Sequence, residues 1–187
     1  MKLLLASQSP RRKELLHKLG YEFETVSLNC EEIYPEDMDA NAVAGYLSAL
    51  KAQSFRILQN DEVLLTADTI VALDQEILGK PQNAEEAFEM LMKLSGKTHQ
   101  VFTGITVRTV HEQKTATDVA AVSFKNITPN EARWYIEHFK PFDKAGSYGI
   151  QEWLGMAKVE RIEGSYYTIM GLPTHLVYSL INEIQLH

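Results

Sequence analysis

The sequence predicts a mixed α/β fold, and three observations carry that expectation. Leu3-Leu4-Leu5-Ala6 is a short apolar stretch that stops at Ser7 to Pro10 and hands over to a helical pattern. Val63 to Leu73 is a near-continuous apolar run of strand type, broken only by Thr66, Asp68 and Thr69. Two capping-box patterns, Asn83-Ala84-Glu85-Glu86 and Thr128-Pro129-Asn130-Glu131, start helices between strand-like segments.

Taken in order, Lys2 to Ala6 predicts a buried strand, and a helix follows from about Pro10 to Leu19, stopped by Gly20. Ser9 is placed to cap it. Tyr21 to Ser27 predicts a second strand, followed by an acidic turn with Glu31, Glu32, Pro35, Glu36 and Asp37. A helix from about Asn41 to Leu58 carries Val43, Leu47, Leu50 and Ser54 on one stripe. Val63 to Leu73 then predicts a central strand. The Asn83 box opens a helix to about Leu94, and Gln100 to Val110 with Thr115 to Phe124 predict a hairpin. The Thr128 box opens a helix through about His138, and Pro141 closes it. Asp143 to Gln151 is a glycine-bearing loop; Val159 to Met170 predicts two short strands turned at Glu163-Gly164. Pro173 starts a terminal helix with Leu176, Leu180 and Ile184 on one stripe. With no repeat, low-complexity tract or linker, residues 1–187 read as a single domain.

Composition narrows the function. The chain has 187 residues, 45% of them apolar, enough to bury a core as one domain or as two packed lobes. Eighteen Lys and Arg against 25 Asp and Glu give a net charge of −7, which disfavours binding to a nucleic-acid backbone, so an anionic ligand needs a local cationic cluster. The lone Cys30 excludes an intramolecular disulfide and fits a reducing, cytoplasmic address. The opening apolar stretch is too short for a signal peptide, and no apolar run is long enough to span a bilayer. A soluble, unprocessed protein is expected.

Ser7-Gln8-Ser9-Pro10-Arg11-Arg12-Lys13 lies where a strand meets a helix N-terminus, whose free N–H groups and dipole attract phosphate. Two hydroxyls and three cations there strengthen that reading over a capped helix with a solvated basic turn, since cations oppose the dipole at this end. Asp68 sits inside the most apolar strand, where a carboxylate is costly unless paired, protonated or metal-bound. The bland alternative is an Asp capping a turn at a strand end. A regular strand points Asp68 and Thr69 to opposite faces, so both can serve one pocket only if the strand ends or bulges there. Glu31 and Glu32 could join Asp68 as oxygen ligands of a divalent metal, although an acidic pair in a loop is more often a solvated turn. Lys51 lies one turn after Leu47 and Lys80 in the turn Gly79-Lys80-Pro81; each alone is weak evidence. The six histidines have no metal-ligand spacing, and neither a GxxxxGK[ST] nor a GxGxxG loop is present.

Read together, Leu5-Ala6-Ser7-Gln8-Ser9-Pro10-Arg11-Arg12, Ala67-Asp68-Thr69-Ile70-Val71, Leu78-Gly79-Lys80-Pro81, His99-Gln100-Val101-Phe102-Thr103-Gly104, Asp143 to Gln151, Gly164-Ser165-Tyr166 and Gly171-Leu172-Pro173 resemble the Maf family of nucleotide pyrophosphatases over nearly the whole chain. The resemblance implies a two-lobed α/β fold around an elongated, twisted mixed sheet, shared with the inosine triphosphatases, with the nucleotide in the cleft. Family members that pair Asp-Thr with a Tyr-Gly-Ile-Gln loop act on dTTP and UTP. On that basis Asp68 matches the proton acceptor, and Arg11, Thr69 and Gln151 match the residues that steer base choice. Ser7, Arg12, Lys51 and Lys80 match positions around the phosphates, and Glu32 with Asp68 matches the site of a divalent metal, Mg²⁺ or Mn²⁺. A homodimer is also implied. Gln151 is followed by Glu152-Trp153, where many relatives carry a small residue such as glycine, a departure that bears on the base pocket rather than the reaction. The rival functions are a pyrophosphatase for another or modified base, and a non-catalytic nucleotide-binding regulator of cell division, which retention of Asp68, Lys51 and Lys80 argues against.

Overall fold

The central strand expected around Asp68 is β3 (Glu62–Leu73), the most deeply placed element of a computed structural model that describes residues 1–185. Every residue of β3 is buried except Thr69, which is half-buried. Among the described residues the strands form one seven-stranded mixed sheet in the order β2-β1-β3-β5-β6-β7, with β4 paired to β3. β1 (Lys2–Leu5) runs parallel to both β2 (Glu24–Thr25) and β3, with Leu5 opposite Leu65. β4 (Glu76–Leu78) turns back antiparallel on the end of β3, and β5 (Thr98–Arg108) and β6 (Gln113–Phe124) are the long strands of the expected hairpin.

Helices join these strands where the caps direct them. α1 (Pro10–Lys18) starts with Pro at its first position, and α2 (Ala40–Ser54) follows the acidic loop. Asn83 caps α3 (Ala84–Leu94) by accepting from the Glu86 N–H, and Thr128 with Glu131 completes a reciprocal capping box on α4 (Pro129–Phe139). The chain forms two compact units. One holds Met1–Thr69, Thr103–Asp118 and the residues from Gly171 onward; the other holds Ile70–Phe102 and Val119–Met170. Within the first, Leu4, Ala6, Ala52, Leu58 and Leu64 pack together. In the second, a larger core centres on Leu91, Leu94, Val122, Tyr135 and Leu154, each fully buried.

Three expectations need correction, and one helix was not anticipated. The second strand shrinks to Glu24–Thr25, because the flanking residues leave β1 after two pairs. Gln151 is followed by a short helix, α5 (Trp153–Lys158), in which a Cβ on Gly155 would run into the Ile150 carbonyl; that tertiary fit leaves no periodic trace in sequence. Only one strand, β7 (Val159–Glu163), lies between Val159 and Met170, paired antiparallel with β6, and beyond Gly164 the chain enters a helical turn, α6 (Tyr166–Ile169). The buried stripe of α7 (Thr174–Gln185) passes through Val177 and Ile181, one position beyond the Leu176 and Leu180 expected.

Candidate active site

Two of the sequence-predicted carboxylates converge on the ammonium group of a third predicted residue, Lys51. The Lys51 Nζ donates to Asp68 Oδ1 at 2.5 Å and lies 2.9 Å from Glu32 Oε1. The Lys51 and Asp68 side chains are only 13% and 10% exposed, whereas Glu32 is 47% exposed. Pairing offsets the desolvation that a buried carboxylate would otherwise suffer. Glu31, its sequence neighbour, stays exposed.

The path of α2 explains how Lys51 reaches β3. Gly104 on β5 lies so close to α2 that a Cβ there would overlap the Ala44 carbonyl, and a Cβ on Gly45 would come to 2.6 Å of Thr117 Oγ1. Two bare positions let helix and sheet approach at backbone distance. Polar contacts then fix the register: Thr66 Oγ1 donates to the Ser48 carbonyl at 2.6 Å, and Ser48 Oγ shares a 2.9 Å hydrogen bond with Thr106 Oγ1. Lys51 follows Ser48 by about one helical turn, on the same side of α2.

At the β1–α1 junction Ser7 is buried and its Oγ accepts from the Ser9 N–H at 3.2 Å. Ser9 makes no side-chain capping bond, contrary to expectation, so the hydroxyl acting on this turn is that of Ser7. Arg12 does not project into solvent as a phosphate hand would. Its Nε donates to the Gly171 carbonyl at 2.8 Å, Nη1 to the Ala67 carbonyl at 2.8 Å and Nη2 to Thr69 Oγ1 at 3.0 Å. Burial lowers its pKa from the ordinary value while nearby Asp68 raises it, and a guanidinium remains charged regardless. Arg11 and Lys13 are half-buried. Thr69 completes this group through a 2.9 Å contact with Thr103 Oγ1.

β3 runs unbroken through Asp68 and Thr69, so the strand does not end there. Their side chains keep separate partners: Lys51 of α2 for Asp68, Arg12 of α1 and Thr103 of β5 for Thr69.

In the second unit Lys80 and Gln151 are both exposed. Gln151 stands on a loop with two consecutive left-handed residues, Gly146 at φ +68° and Ser147 at φ +62°; for serine this costs roughly 1–3 kcal/mol. Glu152 explains how the loop is held. Its Oε1 lies 3.0 Å from Lys144 Nζ, its Oε2 accepts a short hydrogen bond from the Tyr135 hydroxyl, and that hydroxyl also accepts from the Gly149 N–H at 3.0 Å. Burial, then Glu152, drives the Tyr135 pKa far upward, so the phenol stays a donor. Trp153 packs edge-on against Trp134 at 4.9 Å. Sequence reasoning singled out Glu152 only as a departure, and its partners lie on another helix and loop. A cavity of about 430 Å³ between α3 and α4, floored by Phe88, Ile136 and Phe142, contains none of the predicted residues.

Among the described residues no group of three or more His, Cys, Asp or Glu could hold a metal ion, and no helix is long and apolar enough to cross a membrane. The two residues expected to hold a metal, Glu32 and Asp68, offer carboxylates alone, so ligand and water oxygens would have to complete such a site. Magnesium is commonly held this way, by one or two carboxylates plus phosphates and water. That both carboxylates already contact one cationic group shows that this spot suits positive charge.

A family model described as Maf-like protein matches residues 2–184. The chain is 45% identical to a protein of Porphyromonas gingivalis over 97% of its own length and 94% of the relative's, and 46% identical to proteins of Phocaeicola vulgatus and Bacteroides thetaiotaomicron over 98% and 97% of its length and 96% and 95% of theirs. All three are named dTTP/UTP pyrophosphatase. Among solved structures, the Ham1 protein of Staphylococcus aureus aligns with a TM-score of 0.49 at 14% identity, covering 66% of this chain and 72% of that one.

Proposed function

Because the chain belongs to the Maf family, we propose that it hydrolyses dTTP and UTP to the nucleoside monophosphate and pyrophosphate. The observation that supports this most is the Asp68–Lys51–Glu32 cluster, a carboxylate inside an apolar strand held beside a shared ammonium. Asp68 accepts a proton from water, and the resulting hydroxide attacks the α-phosphorus. The bond from that phosphorus to the bridging oxygen breaks, and the electron pair leaves with pyrophosphate.

Lys51 engages one Asp68 oxygen, and among the described residues no hydrogen-bond donor engages the other, the oxygen that meets the water. Lys51 and Lys80 supply positive charge for the phosphate oxygens as negative charge builds on them, and the N–H groups after Ser7 add donors. Arg12 retains one N–H on each terminal nitrogen for an anion, its other donors being committed to Ala67, Thr69 and Gly171. A divalent cation bound by Glu32 and Asp68, Mg²⁺ or Mn²⁺, would supply Lewis-acid charge to those same oxygens.

At a subsite separate from the Asp68 carboxylate, as the separate partners of the two side chains suit, Thr69 and Gln151 read the base, with Arg11 steering the choice. A thymine or uracil edge presents an N–H donor between two carbonyl acceptors, which a hydroxyl and a carboxamide can match. The protein acts in the cytoplasm, as its single Cys30 suits, and as a homodimer, which light scattering checks. Pyrophosphate release by the pure protein across dTTP, UTP, dCTP, dATP and GTP tests the reading. dTTP and UTP should lead; equal rates across the panel remove the base assignment, and orthophosphate as the first product removes attack at the α-phosphorus.

A further inference from the structure

Thr69 is the one residue of β3 that is only half-buried, and its hydroxyl already has two protein neighbours. A hydroxyl has one proton and two lone pairs. Arg12 Nη2 occupies one lone pair, and it cannot reverse its role because a guanidinium has no acceptor. Bonds from Arg12 to the Ala67 and Gly171 carbonyls fix that donor in place. A Cβ on Gly171 would stand 3.2 Å from Thr69 Oγ1, so the bare position keeps the approach to this hydroxyl open.

The second neighbour is Thr103 Oγ1, 2.9 Å away on a side chain that is fully buried. If Thr103 donates, Thr69 keeps its proton and presents a donor. If Thr103 accepts, Thr69 has only a lone pair left and presents an acceptor. The polarity that Thr69 offers is therefore coupled to the direction of its hydrogen bond with this buried hydroxyl, in which either oxygen can be the donor.

We propose that Thr103 is a specificity-determining positioning residue: by fixing the proton of the Thr69 hydroxyl, it sets which pyrimidine edge that hydroxyl can read. The inference rests on the reading that Thr69 faces the base. Uracil and thymine present a carbonyl acceptor beside a ring N–H, whereas cytosine presents an amino donor beside a bare ring nitrogen. The two edges have opposite polarity, so a hydroxyl with one fixed polarity separates them and a freely rotating one does not.

The test compares kcat/KM for dTTP and dCTP by pyrophosphate release in Thr103→Val, which keeps the shape of the side chain and removes only its hydroxyl. The dTTP-over-dCTP ratio should fall by about tenfold or more, mainly through KM, with kcat for dTTP within about threefold. Thr103→Ser should restore the ratio. If Thr103→Val does not fold, Thr103→Ala carries the same test. An unchanged ratio in the folded variant overturns the proposal. Thr69→Val separates the two ideas: if it lowers the ratio while Thr103→Val does not, only the Thr103 inference fails. If Thr69→Val also leaves the ratio unchanged, the base-reading role of Thr69 fails, and the inference with it.

Discussion

Each compact unit contains a largely buried carboxylate beside a lysine, and the two sites differ in one respect. In the first unit Lys51 is shared by Asp68 and the more exposed Glu32; in the second, Lys144 is shared by Glu152 and the exposed Asp143. Glu152 has both oxygens engaged, one by Lys144 and one by the Tyr135 hydroxyl, which in turn ties down Gly149. Lys51 engages Asp68 through one oxygen. A saturated carboxylate holds structure, and a carboxylate with an oxygen to spare can accept a proton. Lysine pairing alone does not distinguish a working carboxylate from a structural one. On the proposed reading, saturation of the second oxygen is what separates Glu152 from Asp68.

The largest effect that sharpens this contrast is expected at Lys51. Lys51→Met should lower dTTP turnover about 10²–10³-fold, the range for losing a charge-stabilising donor, without unfolding the protein; a loss under tenfold would deny it a catalytic part. At Glu152 the expected loss is in stability. Glu152→Ala leaves the Lys144 ammonium without its least exposed partner and should cost on the order of 3 kcal/mol in urea unfolding, and a cost near zero would mean the network holds nothing. Tyr135→Phe removes one hydroxyl from the same network and should cost about 1–2 kcal/mol.

The smallest effect concerns acid. Burial lowers the pKa of His99 from 6.5 to about 4, and its Nδ1 has no partner among the described residues, so the folded protein holds it neutral. The unfolded chain takes up the proton that the folded one refuses, so stability falls as pH drops below 6.5 and this contribution levels off below about 4. Glu62, bonded by Arg56, and Glu131, bonded by Lys158, both lie near 2 instead of 4.5. Their contribution is full above 4.5 and disappears as pH falls through 2. In His99→Gln the decline between pH 6.5 and 4 should flatten while the steeper part below 4.5 remains; an unaltered profile would show that His99 titrates normally.

The sequence made the mixed α/β class, the central strand and both capping boxes legible, because each leaves a local pattern of periodicity or caps. Asp68 was legible for a related reason: a carboxylate in an apolar strand is conspicuous on energetic grounds. What stayed hidden is the partnering. The Arg12 acceptors Gly171, Ala67 and Thr69 lie 159, 55 and 57 positions away, so nothing local marks Arg12 as a strut for β3. Glu152 was equally opaque, since Tyr135 reaches it from a helix 17 positions earlier. Thr103 was visible only as part of a motif, and its role depends on which hydroxyl the sheet brings beside it.

The contrast between the two carboxylates is tested most directly by initial rates of pyrophosphate release from dTTP, measured side by side in Asp68→Asn and Glu152→Gln, with folding of each confirmed by its melting curve. Asp68→Asn keeps the size of the side chain but removes its capacity to take a proton, so its rate should fall about 10²–10⁴-fold in a protein that still folds, although Lys51 loses its least exposed partner. Glu152→Gln should melt lower yet retain its rate within about fivefold, well short of the range for losing a general base. The opposite pattern, a folded Asp68→Asn protein that keeps its rate beside a Glu152→Gln protein that loses it, would contradict the assignment of Asp68 as the working carboxylate.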